Sequence, residues 1–123
     1  MVIDSHCHIL PPSFKERRSD LSLRDATFAS LLSRDDAVLA DVDALLVDMD
    51  RDGVEHSVVM GMGWTDFDLA QEANDYMIES VANNPGRLTG FCSISPNWGE
   101  EAVAEVDRCA AAGLKGVGEL HPD

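Results

Sequence analysis

Apolar positions along this chain fall into four short runs separated by longer amphipathic stretches. Met1-Val2-Ile3, continuing through His6-Cys7-His8, predicts a strand over residues 2–8. Past Pro11-Pro12 the pattern loosens, and residues 9–35 read as a long loop with one or two helical turns around Phe28 to Leu32. Loops of that length commonly serve as lids or binding elements. Val38, Leu39, Val42, Leu45, Leu46 and Met49 then recur at helical spacing and stop at Asp52-Gly53. Val54 to Gly61, rich in valine, predicts a second strand.

The next helix begins near Thr65-Asp66, where Thr65 and Asp68 have capping spacing, and carries Leu69, Ala70, Ala73, Met77 and Val81 on one face. Asn83-Asn84-Pro85-Gly86 ends it. Leu88 to Ile94 is the third strand. Glu100 to Ala112 is the third helix, with Ala102, Val106, Cys109 and Ala110 inward and Gly113 as its stop. Lys115 to Leu120 is a fourth strand. Strands that alternate with helices in this way call for right-handed crossovers and a parallel sheet.

A (β/α)8 barrel takes about 250 residues, and this chain of 123 places four strands in half that length, with no helix after the last. The expectation is therefore an α/β chain forming the first half, about four βα units, of a (β/α)8 TIM barrel. Residues 1–123 are then the N-terminal part of one domain. A complete small α/β domain without a metal is the alternative at this level.

Composition narrows the function. No run approaches the roughly 18 apolar residues of a membrane span, and Met1-Val2-Ile3-Asp4 lacks the basic start of a signal peptide, so a cytoplasmic protein is expected. Cys7, Cys92 and Cys109 are widely spaced, without a C-x-x-C pair, and read as reduced thiols. With 23 acidic and 9 basic residues the net charge is -14, which disfavours nucleic acid and anionic membrane as partners. Lys15, Arg17, Arg18, Arg24 and Arg34 cluster in the segment after the first strand. They are either a solvated face or a patch that draws an anionic small molecule, with Arg17 as a candidate substrate contact.

The chemistry concentrates at His6 and His8. On a strand they point the same way, one pleat apart, as two ligands of one metal must. If the strands are parallel, their C-terminal ends share a face, which brings the pair together with Gly63-Trp64, Pro96-Asn97-Trp98 and Glu119-Leu120-His121. Lys115, Val117, Glu119 and His121 share one parity, so Glu119 can join the histidines. Two imidazoles and a carboxylate suit a divalent metal, Zn²⁺ first, with Mn²⁺ and Fe²⁺ also compatible. Such an ion activates water or polarises a substrate carbonyl. Asp4, of the same parity, either orients a ligand imidazole or makes a buried polar contact. Trp64 is a pocket wall or a side chain packed between helices, and His121 a substrate contact or an exposed loop residue. His56 and Lys115 start their strands and fall at the opposite end.

Ile3-Asp4-Ser5-His6-Cys7-His8-Ile9-Leu10-Pro11-Pro12 resembles the first-strand signature of the amidohydrolase superfamily of metal-dependent (β/α)8 hydrolases. Met49-Asp50-Arg51-Asp52-Gly53-Val54, and the closing run from Gly113 to Pro122, look like its family-2 branch, which includes the aminocarboxymuconate semialdehyde decarboxylases and related lactonases. The resemblance implies that His6 and His8 bind the metal. Glu119 stays open as a ligand: TatD-like relatives have a metal-binding glutamate in a comparable context, and decarboxylase-like members do without one. The family takes further ligands and its catalytic aspartate from strands five to eight, so the catalytic residues are expected in a missing C-terminal half. The expected activity is hydrolysis or decarboxylation of a small carboxylate-bearing substrate, with this chain inactive alone. The alternative is a half-barrel binding or assembly module, partnered by a copy of itself or by a separate C-terminal half.

Overall fold

The computed structural model describes residues 1–121; Pro122 and Asp123, the end of the closing motif, lie outside the described residues. Four strands, β1 (Ile3–His8), β2 (His56–Met60), β3 (Leu88–Cys92) and β4 (Gly116–Val117), form one sheet in the order β1-β2-β3-β4. All three pairings are parallel. Strand order that follows chain order, with crossovers of one hand, keeps the helices on one side of the sheet. That is the barrel pattern, whereas a doubly wound sheet reverses its order part-way. The fold is α/β, with four successive strands of a barrel.

The helix-facing side of the sheet is apolar. Val59, Leu88 and Cys92 pack there with Met77, Cys109 and Leu114. The other face carries the histidines.

Between Asp4 and Cys7 the register with β2 shifts: three steps along β1 match two, Ser57 to Val59, along β2. This bulge interrupts simple alternation, so the parity expected to align Asp4 with His6 and His8 does not carry through. The Asp4 carboxylate instead accepts the His6 backbone N–H at 3.1 Å.

Residues 9–35, expected as a loop, contain three short helices: α1 (Ser13–Glu16), α2 (Arg18–Arg24) and α3 (Ala26–Leu32). None is long enough to show a repeating stripe. Their buried side chains Phe14, Leu21, Phe28 and Leu32 gather with Trp64, Leu69 and Ala73 into a second core cluster. Phe14 meets Trp64 edge-on at 6.0 Å, and Phe28 stacks on Trp64 at 5.9 Å. Trp64 is fully buried among these rings, and its indole Nε1 has no hydrogen-bond partner among the described residues.

Helix α4 (Val42–Asp52) starts later than the apolar stripe suggests. Asp41 caps it by accepting the Ala44 N–H, which leaves Val38 and Leu39 outside, and Gly53 ends it at φ 71°. Helix α5 (Phe67–Asn83) is capped by Asp66, not Thr65: the Asp66 carboxylate accepts the Leu69 N–H at 2.8 Å. Helix α6 (Glu100–Ala111) buries Ala102, Glu105 and Cys109. Val106 is half-buried and Ala110 exposed, so a carboxylate occupies the inward face where aliphatic side chains were expected.

That carboxylate is well supplied with donors. Glu105 receives Arg108 at 2.7 and 2.9 Å, Asn74 at 3.0 Å and Gln71 at 3.2 Å. Asn74 also pairs in both directions with the backbone of Ser93, just past β3. Burial alone would push the Glu105 carboxyl up, but the bonds from Arg108, Asn74 and Gln71 outweigh it and hold the group at about 2.

Candidate metal centre

β1 ends at His8, and its last turn of pleat presents His6 and His8 at the C-terminal edge of the sheet. The two Nε2 atoms lie 3.2 Å apart. His8 Nδ1 sits 3.3 Å from the Met60 carbonyl and 3.2 Å from that of Gly61. A carbonyl only accepts, so Nδ1 carries the proton and Nε2 of the neutral ring keeps a free lone pair. Backbone carbonyls fix metal-binding histidines in this way in many proteins.

β4 is shorter than the sequence suggests, two residues rather than six, so strand parity does not place Glu119. The chain runs on past β4 across the end of β2, and there Glu119 Oε2 comes within 3.4 Å of His6 Nε2 and 3.2 Å of His8 Nε2. Oε2 is buried and has no hydrogen-bond partner. Among the described residues His6, His8 and Glu119 form a cluster whose ligand atoms all lie within 4.8 Å of one another. His121 is half-buried and outside that cluster.

This donor set fits a divalent cation. Ligands about 2.0–2.1 Å from an ion at tetrahedral or octahedral angles stand about 2.9–3.4 Å apart, and the three separations here are 3.2, 3.2 and 3.4 Å. Cys7, between the histidines, is excluded as a ligand. Its thiol donates to the Val58 carbonyl at 3.4 Å, and burial together with the nearby Asp4 charge pushes its pKa up.

Three of the five residues of the basic stretch are ion-paired. Arg17 binds Glu72 on α5 at 2.6 Å and lies over the Phe14 ring. Arg24 binds Asp66, Arg34 binds Asp36, and Arg18 donates to the Ala37 carbonyl. Lys15 is exposed. Arg17, expected as a substrate contact, is thus paired with Glu72, whereas among the described residues Arg18 makes no salt bridge and keeps a buried Nη1 without a hydrogen-bond partner.

A cavity of about 700 Å³ lies at the other end of the strands, lined among others by Ile3, Met49, His56 and Arg87. Its polar groups are already committed: Arg87 to Asp50 and to the Glu55 carbonyl, His56 to the Gly86 carbonyl and to Thr89. The converging candidate ligand atoms are at the histidine end.

The sequence reading passed over Asp25. Its buried carboxylate accepts three backbone N–H groups, from Phe28 at 2.8 Å, Thr65 at 2.7 Å and Asp66 at 2.8 Å, and so joins α3 to the loop before α5. Thr27 adds a 2.7 Å bond to the Gly63 carbonyl. The Asp25-x-x-Phe28 spacing is a legible N-cap, but its tie to residue 65 is not local.

The amidohydrolase family model matches residues 3–123. The chain belongs to the amidohydrolase family. Within it, the chain is 28% identical over 145 aligned positions to a 2-amino-3-carboxymuconate-6-semialdehyde decarboxylase of Dictyostelium discoideum, covering 95% of this chain and 39% of that one. Among solved amidohydrolase-like folds, it superposes on a 5-carboxyvanillate decarboxylase from Sphingomonas paucimobilis with a TM-score of 0.73 at 22% identity, over 94% of this chain and 41% of the other. A second 5-carboxyvanillate decarboxylase, from Novosphingobium aromaticivorans and complexed with manganese, gives a TM-score of 0.74 at 21% identity, over 95% and 40%. The chain thus spans about two fifths of the length of these relatives. At these identities the structural matches establish the fold. Among the described residues no helix is long and apolar enough to cross a membrane.

Proposed function

We propose that this chain carries the metal-binding strand ends of an amidohydrolase-family enzyme that decarboxylates or hydrolyses a small carboxylate-bearing substrate. His6, His8 and Glu119 would hold a divalent ion, Mn²⁺ or Zn²⁺. The observation that carries the reading is Glu119 Oε2, buried without a hydrogen-bond partner and set against the Nε2 atoms of His6 and His8. A carboxylate oxygen set against two imidazole nitrogens, with no donor from the rest of the chain, is an arrangement that a divalent cation would complete. The family membership supports it, as does the manganese bound in two solved decarboxylases of similar fold.

A divalent ion there supplies Lewis-acid polarisation of a substrate oxygen or an acidified water. This chain's own part is to present the ligands: the bulged β1 aims both imidazoles, the Met60 and Gly61 carbonyls fix the His8 tautomer, and the segment after β4 brings in the carboxylate. Carboxylate-bearing substrates are suggested by the names of the relatives, 5-carboxyvanillate and 2,6-dihydroxybenzoate decarboxylases among them. Among the described residues no fourth His, Cys, Asp or Glu joins the cluster, and the chain alone is expected to bind metal and to lack turnover.

Metal content of the purified chain, measured by mass spectrometry after loading with Mn²⁺ or Zn²⁺ and desalting, tests the reading. One ion per chain in the wild type and little in His8→Ala and Glu119→Gln is the expected result. Equal retention by all three proteins overturns it.

A second reading, a half-barrel that assembles without catalysis, is favoured by the exposure of Ile3 on β1 and of Val117 and Leu120 at the other margin of the sheet. Light scattering distinguishes the two: a stable dimer that binds no metal supports assembly alone.

A further inference from the structure

Gly63 lies in the loop between β2 and α5, where the chain after β4 crosses it. A Cβ built on Gly63 would stand 2.7 Å from the Glu119 carbonyl oxygen, 2.7 Å from the His121 backbone nitrogen and 2.9 Å from His121 Cβ. Two of these neighbours are backbone atoms, which cannot rotate away. Gly63 does not have a positive φ. Close approach is therefore what calls for glycine here, not backbone conformation.

The loop beneath this crossing is held from the opposite side. The Thr27 hydroxyl donates to the Gly63 carbonyl, and Asp25 accepts the N–H groups of Thr65 and Asp66 two and three residues on. The crossing segment is held at its near end, where the Gly118 N–H donates to the Cys92 carbonyl at 3.2 Å. Between that bond and the contact at Gly63 only Glu119 and Leu120 intervene, and Glu119 is the residue whose carboxylate meets His6 and His8.

We infer that Gly63 is a positioning residue for the metal centre: it sets the height at which the Glu119 segment crosses β2, and the Asp25–Thr27 clamp on α3 fixes Gly63. The inference rests on Glu119 being a metal ligand. It gives the helical stretch after β1 a supporting role at the site. Alanine at 63 would drive the Glu119 and His121 backbone from 2.7 Å out towards the 3.4 Å of ordinary contact. A ligand shell tolerates displacements of only a few tenths of an ångström.

The test is a double-mutant cycle on the full chain, read as Mn²⁺ affinity by the electron paramagnetic resonance signal of free Mn²⁺, with metal-free thermal melts recorded alongside. Glu119→Gln and Gly63→Ala are each expected to weaken binding by about 10-fold or more, with the double variant no weaker than Glu119→Gln alone. Thr27→Val removes the clamp bond without adding bulk. It is expected to weaken binding by about 3-fold in the wild type and not at all beside Glu119→Gln, and it carries the test if the alanine variant does not fold.

Fully additive losses in both cycles overturn the inference, since Gly63 would then act independently of Glu119. Wild-type affinity in Gly63→Ala and Thr27→Val also overturns it and leaves Glu119 as a ligand. Wild-type affinity in Glu119→Gln removes the ligand, and the positioning role with it.

Discussion

Two glutamates in this chain stand in polar clusters built on opposite terms. Glu105, on α6, is almost fully buried and surrounded by donors: the Arg108 guanidinium at two points, Asn74 and Gln71. Glu119, past β4, is partly exposed, yet its buried oxygen has no hydrogen-bond partner and lies against the Nε2 atoms of His6 and His8. The first cluster is complete within the protein and ties α5, α6 and the end of β3 together. The second has no donor from the rest of the chain, and on the proposed reading a cation completes it. Burial and charge alone would have ranked Glu105 as the more conspicuous residue. The balance of donors and acceptors is what separates scaffold from site.

The largest effect that tests this contrast is on stability. Glu105→Ala should cost about 3 kcal/mol in urea unfolding, because it leaves Asn74 and part of the Arg108 guanidinium without their buried partner. Glu119→Gln should leave the metal-free melt nearly unchanged. A metal-free Glu119→Gln protein less stable than Glu105→Ala would invert the assignment of scaffold and site.

Acid provides the same contrast without changing the covalent skeleton of the cluster. The Glu105 carboxyl is held at about 2 in the folded chain, against an ordinary value of 4.5. A depressed folded pKa contributes stability that is fully present above the ordinary value and is lost as pH falls towards the folded one. Between pH 4.5 and pH 2, therefore, the wild type should lose roughly 3 kcal/mol more than Glu105→Gln. Parallel stability-versus-pH curves for the two proteins would show that the Arg108 network does not hold the charge.

Metal linkage reads the other cluster. With Mn²⁺ at a hundredfold excess over its Kd, the wild type should gain about 2.7 kcal/mol in unfolding free energy, through binding to the folded state alone. Glu105→Gln should keep that gain and Glu119→Gln should lose most of it. Loss in both would mean that the two clusters are one coupled network.

The strand order and the histidine pair were legible in the sequence because each rests on local signals. Valine-rich runs, glycine stops and alternation mark the strands, and the H-x-H spacing is contained in one of them. Glu119 was reached for a partly mistaken reason. Parity along a six-residue strand pointed to it, but β4 ends at Val117, and the residue arrives by a crossing that depends on Gly63. The helices α1 to α3 were missed because segments of four to seven residues show no period, although Phe14, Leu21 and Phe28 lie at intervals of seven and meet around Trp64. Asp25 and Glu105 were missed for one reason. A buried carboxylate is stabilised by donors distant in sequence, Thr65 and Asp66 for one, Asn74 and Gln71 for the other, and no local pattern records them.

Arg17 shows the limit of composition at its clearest, and it yields the smallest predicted effect. Five basic residues in one segment look like a patch when read along the chain, but a patch needs neighbours in space that lack counter-charges. With 23 acidic residues in the chain, most arginines meet a carboxylate wherever they fall, and Arg17 meets Glu72 at the outer surface, both side chains about one-third exposed. Water screens such a pair, so Arg17→Gln should change stability by under about 1 kcal/mol. Its Mn²⁺ affinity should equal that of the wild type, because the guanidinium is committed to α5 and not to the strand ends. A several-fold loss of metal affinity in Arg17→Gln, with the melt unchanged, would restore the basic segment to the site and bring the two regions closer together than their hydrogen bonding indicates.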